Sequence, residues 1–265
     1  MTRPRPTVAD LRAQRGRRQM TMLRYFTLDE AAAAEAARID IASVPPELVT
    51  HPRYRDLAPG VFTMTGKTHL EYGAADDYLA FCGRMLEAGA DALYCSGSLH
   101  TVERLAREYI PVVGHVGLVP ARATWTGAYR AVGRDAASAI RLFEDCRAYQ
   151  EAGAIAVEIE VVPDEVARAI HDRLEILLWS MGSGAGCDAQ YLFAEDILGE
   201  GRTRVPRHAK TYRDFAAEYA RLQAERVSAF RAFSDDVASG RFPEEGHILR
   251  MDPAEHEAFL AGIGA

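Results

Sequence analysis

The sequence predicts an α/β chain folded as one parallel (β/α)8 TIM barrel over residues 1–265, with extra C-terminal helices. Three observations carry this. Glu87-Ala-Gly-Ala-Asp-Ala-Leu-Tyr94 and Glu151-Ala-Gly-Ala-Ile-Ala-Val-Glu158 write one device twice: a helix end, a glycine stop and an apolar strand, as repeated βα units require. The apolar run Ile110–Val113 leads through Gly114 into His115, and Gly117 and Pro120 then turn the chain. That is how a barrel strand delivers an ionisable group to the rim where such folds keep their chemistry. Finally, 265 residues suit a fold that needs about 250.

The elements follow in order. Residues 1–20 carry Arg3, Arg5, Arg12, Arg15, Arg17 and Arg18 and lack the apolar centre of a secretory leader, so they are expected to form a solvated basic arm or first helix. Thr21–Phe26 and Ile39–Val44 read as short strands around the Ala-rich helix Leu28–Ala37. Val61–Met64 is the next strand, followed by a helix over Ala74–Ala88 that Gly89 closes. Further strands are expected up to Tyr94 and at Val112–His115, Ile155–Val161 and Glu175–Met181, with helices at Arg134–Tyr149 and Pro163–His171. Beyond Gly199 the pattern turns helical, with a long amphipathic helix over Tyr212–Ala238 and a short one over Asp252–Ala261. These helices at 212–265 are left to pack on the barrel or on a neighbouring subunit.

Composition excludes several classes. A net charge of −7 opposes a nucleic-acid partner, which wants a basic surface. No apolar run reaches the roughly 18–20 residues of a membrane span. Cys82, Cys95, Cys146 and Cys187 show neither CxxC spacing nor a disulfide framework, as expected of a reduced, cytoplasmic protein.

Candidate chemistry sits at strand ends. Glu158 and Glu160 are two apart, so in a strand they share a face. If that face is the interior, both cannot be comfortably charged without a cation or donors, and a carboxylate so perturbed suits proton abstraction beside a carbonyl. If it is the exterior, they pair with a helix. His115 is placed to polarise a substrate oxygen or shuttle a proton. Lys67, in Thr65-Gly-Lys-Thr-His69, follows a strand directly and offers a cation. Gly182-Ser-Gly-Ala-Gly186 lets backbone approach a ligand, so Gly184 and Gly186 are candidates for binding a carboxylate or phosphate through N–H groups.

Several phrases occur together and in order between about Thr21 and His247. Ile110-Pro-Val-Val-Gly-His-Val-Gly-Leu-Val-Pro120 resembles Pro-Val-x-Gly-His-Leu-Gly-Leu-x-Pro, and Gly127-Ala-Tyr-Arg-Ala-Val-Gly-Arg134 resembles Gly-Gly-Tyr-x-Val-Gln-Gly-Arg. Ile159-Glu-Val-Val-Pro163 is similar to Leu-Glu-x-Val-Pro, and Gly184-Ala-Gly186, Asp188-Ala-Gln190 and Asp196-Ile-Leu-Gly199 follow Gly-Ala-Gly…Asp-Gly-Gln…Asp-x-Leu-Gly. Pro206-Arg-His-Ala-Lys210 and Pro243-Glu-Glu-Gly-His247 echo the closing phrases. These are motifs of the ketopantoate hydroxymethyltransferase family, in the phosphoenolpyruvate mutase/isocitrate lyase superfamily, which the chain resembles over nearly its whole length. The resemblance implies a barrel enzyme that transfers a hydroxymethyl group from methylenetetrahydrofolate to 3-methyl-2-oxobutanoate in pantothenate biosynthesis. It implies Mg²⁺ as metal, Glu160 as acid/base residue, Tyr129 and Arg130 in a substrate-binding stretch, and a homo-oligomer, decameric in typical members.

The departures fall where the family holds its metal. Its Val-Gly-Asp-Ser-Leu loop reads Val44-Pro-Pro-Glu-Leu48, so proline replaces the aspartate. Its Ala-Asp-Leu-Pro aspartate falls near Thr65-Gly-Lys67, and its Lys-Ile-Glu-Gly-Gly reads Tyr94-Cys-Ser-Gly-Ser98. The connection Val49–Gly60 is also shorter. Loss of three acids predicts no metal at that place, since a hard cation wants oxygen ligands that usually include carboxylates. The expected replacement is electrostatic: Lys67 in the metal's place with Glu158 as partner, Tyr94 and Ser96 as hydrogen-bond donors to substrate, and Glu160 as base. The alternative is a relocated metal on Glu47, Glu158 and Glu160, with His115 as a further ligand. Three functions stay open: an aldol-type enzyme making or breaking a C–C bond beside the carbonyl of a small 2-oxo acid; the family reaction itself; and a non-catalytic metabolite-binding barrel.

Overall fold

Eight short strands, most of them buried on both faces, pair in parallel and close on themselves. In the computed structural model, which describes residues 3–66, 74–126, 130–201 and 205–264, they are β1 (Met20–Arg24), β2 (Ile41–Val44), β3 (Phe62–Thr65), β4 (Ala92–Tyr94), β5 (Val112–Gly117), β6 (Ala156–Glu160), β7 (Leu177–Met181) and β8 (Ala189–Phe193). They form a closed barrel in sequence order, β1 pairing with β8 through Met22 opposite Tyr191. The (β/α)8 expectation is met. Helices are α1 (Val8–Gln14), α2 (Leu28–Ala36), α3 (Pro46–Val49), α4 (Tyr54–Leu57), α5 (Ala75–Glu87), α6 (Leu99–Arg107), α7 (Ala123–Thr126), α8 (Ala136–Glu151), α9 (Asp164–His171) and α10 (Ala194–Leu198), followed by α11 (Phe215–Ala238) and α12 (Pro253–Ile263). The chain divides into two compact units, Met1–Arg213 and Asp214–Ala265.

Alternation along each strand builds two cores in the first unit. Met20, Met22, Ile41, Phe62, Met64, Ala92, Val113, Ala156, Leu177, Trp179 and Ala189 fill the barrel interior. Ala42, Val44, Leu93, Val112, Val116, Val157, Ile159 and Leu178 point outward, beneath the helices. The interior is therefore packed, and only the inward residues at the C-terminal ends of the strands are available for chemistry.

The repeated Ala-Gly-Ala phrase does what its composition suggests. Gly89 and Gly153 take φ of +104° and +88° just past α5 and α8. In each case the glycine N–H and the next N–H bond back to the helix, Ala90 to Met85 (2.9 Å) and Ala154 to Tyr149 (3.0 Å), which satisfies carbonyls a helix end otherwise leaves open. The chain then enters the next strand.

The N-terminal stretch is anchored. The capping box of Thr7 and Asp10 starts α1, and Leu11, 2% exposed, inserts among the interior residues of the barrel. Arg15 donates to the carbonyl of Ile176 (2.9 Å) and to buried Asp188 (3.1 Å), and also to the carbonyls of His171 and Leu174. A row of arginines reads as solvated, but three of them end in pairs: Arg15 with Asp188, Arg18 with Asp40, and Arg5 with Asp91.

Most expected elements occur within one to three residues of their expected bounds. The short helices α3, α4, α7 and α10 were not expected, nor were two larger features. Helix α6 lies on Ser98 as N-cap with Val102 and Leu105 buried. Strand β8 follows β7 without a helix between them. The second unit holds α11 and α12, with no buried residue in either. No helix among the described residues is long and apolar enough to cross a membrane.

Candidate active site

Period-two alternation brings a polar set to the C-terminal mouth of the barrel. Above Met20 and Met22 the next inward residue of β1 is Arg24; above Ile41 it is Ser43; above Ala92, Tyr94; above Val113, His115; above Ala156, Glu158 and then Glu160. Tyr191 and Phe193 complete the ring from β8. Together with Pro46, Glu47, Gly66 and Met181 these residues line a cavity of about 550 Å³, within the usual range for a small-molecule site.

His115 organises the centre. It is buried, with Nδ1 2.9 Å from the Tyr94 hydroxyl and Nε2 3.1 Å from Glu160 Oε2. Glu160 is an acceptor when ionised, so the network assigns the proton to Nε2, leaving Nδ1 to accept the Tyr94 O–H. A chain of two hydrogen bonds thus ends on the Glu160 carboxylate. Glu158 Oε2 is 3.7 Å from Nδ1, too far to compete with Tyr94 for that nitrogen.

Local backbone holds this arrangement. β5 and β6 pair with His115 opposite Glu158 and Gly117 opposite Glu160. Gly117 has φ +83°, and a Cβ there would lie 2.3 Å from the Glu160 carbonyl oxygen. Val161, directly after Glu160, has φ +51°, an outlier for a β-branched residue. It is held by its N–H to the Met181 carbonyl (2.8 Å) and its carbonyl to the Val132 N–H (3.1 Å). Strain of this kind concentrates where a side chain must be aimed.

Burial pushes the Glu158 carboxyl up to about 7, against the pull of His115 and Arg24 and with a push from Glu160. Burial, then the nearby Glu158, hold the Tyr94 and Tyr191 phenols well above their usual range, so both stay neutral donors. Arg24 donates to Ser43 Oγ (3.0 Å) and shares a hydrogen bond with Tyr191. Its guanidinium carbon lies 5.2 Å from the Phe26 ring centroid and 5.8 Å from that of Phe193.

Of the residues singled out from sequence, Glu158, Glu160, His115, Tyr94 and Glu47 line the cavity. Ser96 is buried just past the end of β4 and outside the lining, its side chain hydrogen-bonded to Tyr94 and its carbonyl taking a bond from Arg122 (3.1 Å). Arg130 is exposed and outside the lining. Gly184 and Gly186 lie on the β7–β8 connection against Asp164 and Arg168 of α9, and the Ala185 amide between them donates to Asp164 (2.9 Å). Lys67 and Tyr129 lie outside the described residues. Sequence reasoning missed Arg24, Ser43 and Tyr191. The signal for Arg24 was its spacing of two and four from Met22 and Met20, which sets it on the inward face.

The resemblance implies a divalent cation, and the described residues alone do not make a site that fits one. Among the described residues no three His, Cys, Asp or Glu side chains converge as a metal-binding group. Pro46 and Ser96 stand where two of the family's acids are expected, and neither offers a carboxylate. Glu160 is engaged by His115, and Glu158 sits where burial favours its proton. A magnesium ion demands near-octahedral oxygen ligation, so the chemistry below runs through the chain's own residues.

The profile of the family described as ketopantoate hydroxymethyltransferase matches residues 68–245. A 3-methyl-2-oxobutanoate hydroxymethyltransferase of Chloroflexus aurantiacus is 43% identical over 195 residues, covering 72% of this chain and 66% of that protein, just under two thirds of its length. A protein of the same name from Nitratidesulfovibrio vulgaris is 32% identical, covering 97% of this chain and 89% of its own length. Among solved structures, a phosphoenolpyruvate phosphomutase from Streptomyces platensis covers 98% of this chain and 96% of its own at TM-score 0.50 and 16% identity. A putative phosphonomutase from Burkholderia cenocepacia covers 86% of this chain and 100% of its own, at TM-score 0.53 and 13% identity. At such identities these structures speak to the fold alone.

Proposed function

Because the chain belongs to the ketopantoate hydroxymethyltransferase family, we propose that it is an aldol-type enzyme acting on a small 2-oxo acid. It makes or breaks the C–C bond beside the carbonyl through an enolate. The observation that carries this reading is His115 bridging Tyr94 and Glu160 at the rim of the cavity.

The steps follow from that geometry. Glu160 takes a proton from carbon 3 of the bound 2-oxo acid. The C–H electron pair becomes the C2–C3 double bond, and the carbonyl π pair moves onto oxygen 2. Carbon 3 of the enolate then attacks the carbon of an electrophilic one-carbon C=X unit; as the new C–C bond forms the C=X π pair moves onto X, the carbonyl at carbon 2 returns, and protonated Glu160 gives its proton to X. His115 orients the carboxylate before the step and stabilises its charge, and Tyr94 fixes the tautomer that makes this possible. Lys67, one residue beyond the lining residue Gly66, is proposed to add positive charge at the mouth.

A narrower reading, hydroxymethyl transfer from methylenetetrahydrofolate to 3-methyl-2-oxobutanoate, is favoured by the name that relatives at 32–43% identity carry. One experiment tests the general reading: loss of the carbon-3 proton signal of 3-methyl-2-oxobutanoate and other small 2-oxo acids in D2O, followed by NMR with EDTA or with Mg²⁺. Exchange that survives EDTA and falls about 10²- to 10⁴-fold in Glu160→Gln is the expected result. Exchange at the wild-type rate in Glu160→Gln rejects the assignment. Addition of methylenetetrahydrofolate then separates the two readings by whether a hydroxymethylated product forms.

A further inference from the structure

We propose that Arg24 is the substrate-binding and enolate-stabilising cation of this site, its guanidinium bridging the carboxylate and oxygen 2 of the 2-oxo acid. The inference rests on the enolate reading and deepens it.

Charge in the cavity points to Arg24 first. The described residues of its lining include three carboxylic acids, Glu47, Glu158 and Glu160, and one permanent cation, Arg24. A 2-oxo acid is itself an anion, and enolisation places a second negative charge on oxygen 2. An anion enters a carboxylate-lined, partly desolvated cavity only opposite a compensating positive charge. Among the described residues that charge is Arg24.

Orientation is the second argument. Arg24 lies opposite Ser43 on one side and Phe193 on the other in the strand registers of β1 with β2 and β8. Phe26 and Phe193 flank the guanidinium at 5.2 and 5.8 Å, the separation of cation–π contacts. Its hydrogen-bond partners, Ser43 and Tyr191, are neutral hydroxyls. They fix the group without neutralising it. A structural arginine in this molecule looks different: Arg15, Arg18 and Arg55 each end on a carboxylate, Asp188, Asp40 and Asp91.

Shape is the third. A guanidinium presents parallel N–H donors in one plane, which match two coplanar oxygens in a bidentate contact. The carboxylate and oxygen 2 of an enolate are coplanar. When Glu160 removes the proton, the charge that grows on oxygen 2 meets a donor already in place, and Arg24 does not change protonation. This is the work a metal does for an oxyanion, done from the end of β1 by a group that chelators cannot remove.

The test uses oxalate, a planar dianion with the same pair of coplanar oxygens. Calorimetric titration in EDTA is made with wild type, Arg24→Met, Arg24→Lys and Lys67→Met, each checked for folding by its melting curve. Wild type is expected to bind oxalate without metal; Arg24→Met to lose about 100-fold in affinity; Arg24→Lys to recover part of it, since a point charge replaces the fork. Lys67→Met is expected to lose less than Arg24→Met. The proposal is overturned if oxalate fails to bind wild type in EDTA, if Arg24→Met binds as wild type does, or if Lys67→Met takes the larger loss. Parallel D2O exchange keeps the two readings apart. Exchange at the wild-type rate in Arg24→Met sinks the proposal and leaves enolate chemistry standing. Arg24-dependent oxalate binding without exchange of any 2-oxo acid leaves the anion site standing and sinks the enolate.

Discussion

Replacing Glu158 by glutamine should make this protein more stable at neutral and alkaline pH, although Glu158 is buried in the middle of the site. The carboxyl is 5% exposed and faces His115, Glu160, Arg24, Tyr94 and Tyr191, and burial raises its proton affinity from the ordinary 4.5 to about 7. An unfolded chain releases this proton near 4.5, the folded chain only near 7. Stability from this group is therefore whole below pH 4.5, falls as pH rises between the two values, and is flat above. The difference between 4.5 and about 7, at about 1.36 kcal/mol per pH unit, is on the order of 3 kcal/mol. Glutamine keeps the shape and has no proton to lose. The wild-type melting temperature should thus fall by roughly 6–12 °C relative to Glu158→Gln between pH 4.5 and 8, at about 2–4 °C per kcal/mol. Thermal melts of both proteins across that range read it directly, other groups cancelling in the difference. Parallel curves would refute the reasoning and put Glu158 in contact with water or with a stronger cation.

Three more outcomes follow from particular contacts. Gly117→Ala puts a Cβ 2.3 Å from the Glu160 carbonyl at φ +83°, so it should cost at least about 2 kcal/mol in urea denaturation and slow D2O exchange by displacing Glu160; a variant with wild-type exchange refutes the link between that turn and the site. Arg15→Met removes the cation over Asp188, whose side chain is 1% exposed, and should cost about 3 kcal/mol, because a buried charge left with fewer partners is expensive; a loss under 1 kcal/mol means that His171 and the Leu178 N–H, which also bond Asp188, suffice. Val161→Gly relaxes φ +51°, releasing about 1–2 kcal/mol of strain while raising unfolded-chain entropy by nearly as much. Its melt should stay within a few degrees of wild type while exchange slows, and unchanged exchange would divorce the strained turn from the aim of Glu160.

The barrel was legible because strands buried on both faces read as apolar runs, and Gly89 and Gly153 mark where helices stop. β8 was hidden because Ala-Gln-Tyr-Leu-Phe follows β7 across a seven-residue glycine-rich connection with no helix to punctuate it. Helix α6 was passed over, although Ser98, Val102 and Leu105 hold a cap and an inward stripe. In the site, spacing put Glu158 and Glu160 on one face and His115 at a strand end, but period two does not say which face turns inward; the packed interior residues below them decide that. Arg24 stood on the same kind of position and was passed over, because an arginine at a strand end looks the same whether its guanidinium turns to solvent or over the mouth. Only the packing of Phe26 and Phe193 beside it decides between the two. Gly184 and Gly186 show the converse. A glycine-rich loop invites a ligand in sequence, but here the missing Cβ atoms make room for Asp164 and Arg168, at 1.8 and 2.2 Å from where such atoms would stand.

Glu158 and Arg24 are two sides of one electrostatic problem. A site for an anion has no obvious use for a second carboxylic acid, yet β6 carries two. Below about 7, where burial keeps its proton in place, Glu158 adds a donor and no negative charge, so the guanidinium is left to act on the substrate rather than on its own neighbour. Once the carboxyl ionises above about 7, Glu158 becomes an anion that Arg24 attracts, and the attraction for a 2-oxo acid falls. Affinity for oxalate should then weaken with rising pH through that range in wild type and stay level in Glu158→Gln, with Arg24 charged throughout. The condition that makes the folded protein less stable above neutrality is the same one that closes its anion site.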